Sequence, residues 1–212
     1  MEQIVIIVAL ILSIVIHEMA HGYAANWLGD PTARLAGRLS GNPLVHLDPL
    51  GSVIIPGILY LSSVGLLFGW AKPVPYNPYN LRNRKWGEAL VAAAGPAVNI
   101  LLAAIFAGII RFAGQLELSA SFVEIASYIV YINILLALFN MIPIPPLDGS
   151  KILAAVLPYQ AQRQYRELTT WVERHGLFAT FAFIFIFIYV LWQPFSQLVF
   201  FIFSIFTGLG GL

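Results

Sequence analysis

Long apolar stretches alternate with short polar or proline-rich segments along the whole chain. From Ile4 to Ile16 every residue is apolar except Ser13, and the pattern continues through HEMAHGYAANWL to Gly29-Asp30-Pro31, a combination that stops a helix. Ala89 to Ile110 is a second unbroken run whose strongly polar side chain is Asn99, and its many Ala and Gly residues suit close helix contact inside a membrane. Ile125 to Ile142 is a third, bearing Asn133 and Asn140, and the prolines of IPIPPLDG must end or unwind it. The stretch Ser52 to Trp70 is apolar but carries Pro56, Gly57, Gly65 and Gly69, which predicts a re-entrant segment rather than a full crossing. Between Ala33 and Ser52 a loose alternation around Arg34, Leu35, Arg38 and Leu39, with Gly37, Gly41 and Pro43 as breakers, predicts a small β-hairpin. Lys151 to His175 is polar and amphipathic. Leu177 to Phe206 is apolar except at Gln193-Pro194 and Gln197, as either a helical hairpin or one kinked helix.

Composition turns these runs into membrane spans. Hydrophobic residues make up 59% of the 212 and charged residues 10%, far outside soluble globular usage, and each long run can cross roughly 30 Å of hydrocarbon. The expected fold is an all-α polytopic membrane protein forming a single domain over residues 1–212, with a core at 1–158 and a C-terminal helical extension at 159–212. A net charge of +1 offers no nucleic-acid surface, and the absence of cysteine restricts any metal to His, Asp or Glu ligands. The first run lacks a basic segment before it and carries His17, Glu18 and His21 near its end, so it is expected to be retained rather than cleaved as a signal peptide.

Those three residues carry the chemistry. Residues four apart share a helix face, so His17 and His21 can offer two imidazoles to one ion with Glu18 beside them. Titratable groups in an apolar helix cost several kcal/mol without compensation, and a divalent cation offsets that cost. Two imidazoles leave a tetrahedral zinc one protein ligand short, with one further position for a water molecule whose proton Glu18 would take. Candidates for the third ligand are His46, His175, Glu88, Asp48 and Asp148. Asp148 is favoured because it directly follows the proline-rich break, although an Asp there serves equally well as the N-cap of a helix beginning near Ser150.

HEMAH on the first helix, GPAVN at Gly95 to Asn99 and NMIPIPPLDG at Asn140 to Gly149 together resemble the site-2 protease family, in that family's order. The resemblance implies zinc held by His17, His21 and Asp148, Glu18 as general base, and Asn99 and Asn140 beside the substrate. It makes His46 and Asp48 shapers of the predicted hairpin rather than ligands, and leaves no room for an appended PDZ or CBS-type regulatory domain. The expected activity is hydrolysis of peptide bonds within or near transmembrane segments of other membrane proteins, as in regulated intramembrane proteolysis. An unwound substrate would pair with an edge strand near Arg34 to Ser40. The alternative is a metal-binding membrane transporter or a non-proteolytic scaffold. Transmembrane substrates and the lipid bilayer are the expected partners, nucleic acid is not, and a homo-oligomer is allowed.

One zinc shared by the end of the first helix and the end of the Ile125 to Ile142 span requires those helices to run parallel. With Ser52 to Trp70 re-entrant, Arg34, Arg38, Lys72, Arg82, Arg84, Lys85, Arg163 and Arg166 fall on one side, as the positive-inside rule expects for a cytoplasmic face. The expected location is a prokaryotic cell membrane with Met1 outside and the active site toward the cytoplasm. His17 would then lie about 22 Å along the helix from Glu2. In this cysteine-free chain, Asn83→Cys should react with an impermeant thiol reagent only from the cytoplasmic side and Gln115→Cys only from outside.

Overall fold

A computed structural model of the chain describes residues 2–49, 54, 72–83 and 86–209. All regular structure among them is helical. Helix α1 (Glu2–Trp27) is followed by a single turn, α2 (Thr32–Leu35), and by 3-10 turns at Pro43–His46 and Pro78–Asn80. Then come α3 (Gly87–Arg111), α4 (Ala120–Asn140), α5 (Asp148–Val156), α6 (Tyr159–Arg174), α7 (Gly176–Ile186) and α8 (Trp192–Thr207). Four helical stretches among the described residues are long and apolar enough to cross a membrane: Ile4–Trp27, Gly87–Arg111, Ala120–Asn140 and Phe187–Thr207.

The bundle is built on small residues. Ala103, Ala107, Ala126 and Val130 bring α3 and α4 together, and Val199 and Phe203 of α8 fill the groove they leave. Lipid tails are as apolar as these side chains, so close van der Waals contact, rather than exclusion of water, holds such helices together. Side-chain contacts fix the helix directions. His17 meets Asn99 and His21 meets Val91, so α1 and α3 run antiparallel. Ser13 meets Asn133 while His17 meets Asp148, so α1 and α4 run parallel.

Two features differ from the sequence pattern or resolve it. No strand occurs among the described residues, and the predicted β-hairpin is instead α2 followed by irregular chain and the Pro43–His46 turn. Arg34 and Arg38, like Leu35 and Leu39, are four apart, which is the period of a helix rather than of a strand. The loop's carbonyls find a side chain instead of a ladder: the Arg38 guanidinium donates to the carbonyls of Val45, Lys72 and Pro73. At the other end of the chain, α7 and α8 are joined through a π-helical turn, Phe187–Leu191, whose flanking residues are right-handed helical, so residues 176–207 form one helical rod rather than a hairpin.

The predicted re-entrant segment, Ser52 to Trp70, lies outside the described residues apart from Ile54. Beyond that segment the chain returns to the Pro43–His46 turn, where the Lys72 amide donates to the His46 carbonyl at 2.8 Å.

Asp30 stitches that side together. Gly29, at φ +111°, ends α1. The buried carboxylate of Asp30 then accepts from the Thr32 hydroxyl at 2.5 Å, the Asn80 amide at 2.8 Å and the Asn77 backbone N–H at 2.6 Å. Burial pushes this carboxyl up, but the donors outweigh it and hold it below the ordinary value of 3.8. A depressed carboxyl contributes stability that is fully present above its unfolded value and is lost as pH falls through the folded one. Asp30→Ala should cost about 2–3 kcal/mol in detergent-solubilised thermal unfolding. The gap between wild type and Asp30→Asn should narrow as the pH is lowered below that ordinary value.

Candidate metal centre

His17 and His21 sit on one face of α1, both buried, with ring centroids 4.6 Å apart and planes at 89°. Their Nε2 atoms are 3.0 Å apart, and Oδ2 of Asp148 lies 3.2 Å from each. Among the described residues these are the side chains with metal-ligating atoms gathered in this way.

The partners of the opposite ring nitrogens decide what the triangle is for. Nδ1 of His21 lies 2.7 Å from the carbonyl oxygen of Val91, which can only accept, so the ring proton of His21 sits on Nδ1. Nδ1 of His17 lies 2.5 Å from Oδ1 of Asn99, which likewise accepts. Each neutral ring therefore points a lone pair inward, where a carboxylate oxygen joins them. Only a cation, or extra protons on the rings, offsets three such atoms at these distances. With ring protons in place, burial still pushes the Asp148 carboxyl up, but the donors from His17 and His21 outweigh it and hold the group well below the usual carboxylate range. A tetrahedral ion with bonds of about 2.0–2.1 Å separates its ligands by roughly 3.3 Å, close to the edges observed. The donor set and its dimensions fit zinc.

Asp148 reaches the site because the chain after α4 folds back sharply. Leu147, not Asp148, occupies the N-cap of α5 and no side chain caps that end, so the Asp148 carboxylate is free for the imidazoles. Gly149 is required there by closeness: a Cβ on it would lie 2.1 Å from the Met141 carbonyl oxygen. Gly95 plays the matching part on α3, where a Cβ would lie 2.5 Å from Nε2 of His21 and 2.6 Å from Nε2 of His17. The GPAVN motif thus brings bare backbone against both rings. A glycine followed by proline inside an apolar span was the available signal for it.

A cavity of about 160 Å³ opens beside the triangle, and Glu18, Asn140, Pro146 and Lys151 line it together with Pro73, Val74 and Tyr76. Oε2 of Glu18 accepts from the Val74 backbone N–H at 3.0 Å. Lys151 stands 5.2 Å from the centre of the Tyr76 ring. Asn140 faces this cavity and donates to the Leu136 carbonyl. Asn99 is fully buried, with its side chain engaged by His17 and Asn133 rather than turned to the cavity. The other ligand candidates lie elsewhere. His46 is buried with Nε2 on the Ser40 carbonyl, His175 is exposed with Nδ1 on the Trp171 carbonyl, and neither Glu88 nor Asp48 joins the triangle.

A multi-pass helical bundle with two imidazoles and a carboxylate gathered beside a glutamate defines a membrane protein with a candidate metal-hydrolase centre. Residues 5–123 and 107–187 match the sequence profile of peptidase family M50, and the chain belongs to that family, the site-2 protease family. It is 36% identical over 196 residues to "Putative zinc metalloprotease YwhC" of Bacillus subtilis (strain 168), covering 88% of this chain and 84% of that protein. It is 27% identical over 168 residues to "Putative zinc metalloprotease Rip2" of Mycolicibacterium smegmatis (strain ATCC 700084 / mc(2)155), covering 79% of this chain and 63% of the relative. No solved structure matches the chain.

Gly95→Ala should leave helix content unchanged by circular dichroism while zinc content by elemental analysis falls. The expected loss of zinc affinity is at least about 100-fold, because the added methyl must displace both rings.

Proposed function

We propose that the protein is a zinc-dependent endopeptidase that cleaves peptide bonds in or near transmembrane segments of other membrane proteins. The observation that carries this reading is the meeting of three inward-facing lone pairs, on His17, His21 and Asp148, beside Glu18 at the edge of a cavity inside a membrane bundle. When bound, zinc supplies a Lewis acid for the scissile carbonyl and makes a water molecule acidic enough to attack near neutral pH.

The chain's own residues do the rest. His17, His21 and Asp148 hold the ion. Glu18 takes the proton of the attacking water and delivers it to the departing amine, its carboxylate steadied by the Val74 amide. Asn140, on the cavity wall, donates toward the oxygen on which negative charge develops. A substrate helix hides its carbonyls in its own hydrogen bonds, so it must unwind before it is cut. The irregular, proline-punctuated backbone at residues 72–77 lines the cavity through Pro73, Val74 and Tyr76 and is the wall along which such a strand would lie, in place of the edge at Arg34 to Ser40.

A transporter or a non-proteolytic scaffold would use the same ligands differently. Transport calls for further ligating groups along other spans, and no second such group occurs among the described residues. The location proposed is a prokaryotic cell membrane, with the centre toward the cytoplasmic side where the basic loops gather.

Glu18→Gln should retain one zinc per chain and lose about 10²- to 10⁴-fold in the rate of cleavage of a reconstituted transmembrane substrate. Undiminished cleavage by that variant would remove Glu18 from the chemistry, and wild-type protein that binds no zinc would remove the metal.

A further inference from the structure

A chain of buried amides runs from the candidate centre into the middle of the bundle. Oδ1 of Asn99 faces Nδ1 of His17 at 2.5 Å, and Nδ2 of Asn99 donates to Oδ1 of Asn133 at 2.7 Å. Nδ2 of Asn133 donates in turn to the backbone carbonyl of Ile129 at 2.9 Å and to the Ser13 hydroxyl oxygen at 2.9 Å. Asn99 and Asn133 are fully buried, and Ser13 and His17 nearly so.

The direction of this chain is not arbitrary. A backbone carbonyl has no proton to give, so the Ile129 carbonyl forces the Asn133 amide to point its NH₂ that way and its oxygen toward Asn99. Asn99 must then present its own NH₂ to Asn133 and its oxygen to His17. His17 in consequence carries its proton on Nδ1 and leaves the Nε2 lone pair for the metal. His21 reaches the same state directly, through one backbone carbonyl, that of Val91.

We infer that Asn133 is a positioning residue for the metal centre, setting the His17 tautomer through Asn99 although it touches no ligand itself. This rests on the reading of His17 as a zinc ligand. Partners of ligating imidazoles fix the ring tautomer and orientation, and losing one typically costs about 10- to 100-fold in metal affinity. Asn133 extends that control one residue further, from α1 through α3 to α4. With its acceptor removed, the Asn99 amide is free to turn and offer NH₂ to Nδ1, which drives the proton to Nε2 and blocks the metal.

Two measurements test it. In uniformly ¹⁵N-labelled, metal-free wild type at pH 8, His17 should carry a proton on Nδ1, whether or not Nε2 holds a second one drawn by Asp148. Asn133→Leu should shift that proton to Nε2 and weaken zinc binding about 10- to 100-fold in chelator competition. Asn99→Asp in the same background should restore both, since a carboxylate presents an acceptor to His17 whichever way it turns. A wild-type His17 that carries a proton on Nε2 and none on Nδ1 overturns the inference even if the Leu variant fails to fold. So does a loss of zinc in Asn133→Leu without a change of tautomer, or a loss that Asn99→Asp does not rescue. Wild type that binds no zinc would instead refute the metal reading, while the tautomer measurement would stand by itself.

Discussion

Two imidazoles and a carboxylate are held with their lone pairs facing one another inside a bundle of apolar helices, and the surrounding structure is what makes that arrangement bearable. In hydrocarbon such a group is expensive unless a cation completes it. Each ligand is also locked from behind: His21 by the Val91 carbonyl, His17 by Asn99, and Asp148 by the tight turn at Gly149 against the end of α4. Preorganisation of this kind leaves little freedom to lose when an ion arrives.

The same constraint explains the bundle's architecture. Imidazoles on α1 can meet a carboxylate just beyond α4 only if those helices run parallel, and α3 packs antiparallel against both with little side chain at the contacts. Gly95 and the alanines of α3 meet that requirement. The cavity wall at residues 72–77 is stitched down by polar side chains instead of by a sheet. Asp30 gathers backbone and side-chain N–H groups, Arg38 gathers carbonyls, and Glu18 holds the Val74 amide. Because Glu18 serves both this wall and the proposed proton transfer, the fold and the chemistry share a residue.

Membership of the site-2 protease family and the distances around the triangle agree on the class of chemistry. They rest on different properties of the chain, one on motif order and one on which atoms converge. In the proposed relay the state of the centre depends on Asn133, buried within α4 and outside the cavity lining.

The spacing of His17, Glu18 and His21 is local, so the sequence alone determined that two imidazoles share a face beside a carboxylate. Run length and composition likewise determined the helical, membrane-spanning class. Asp148 was legible as a candidate because prolines before it break an apolar span, but helix N-cap and ligand were equal on local grounds, and only folding α5 back against α4 decided between them. The segment around Arg34 to Ser40 was misread because a few residues with paired polar and apolar positions satisfy two periodicities at once, and strands need partners that a short sequence window does not contain. The continuity of α7 into α8 turned on a π-helical turn that accommodates Gln193-Pro194 without a break. Gly95, Asn133 and Val74 act through contacts with residues far away in the chain, and no pattern along one strand of sequence specifies which distant ring, amide or carboxylate each will meet.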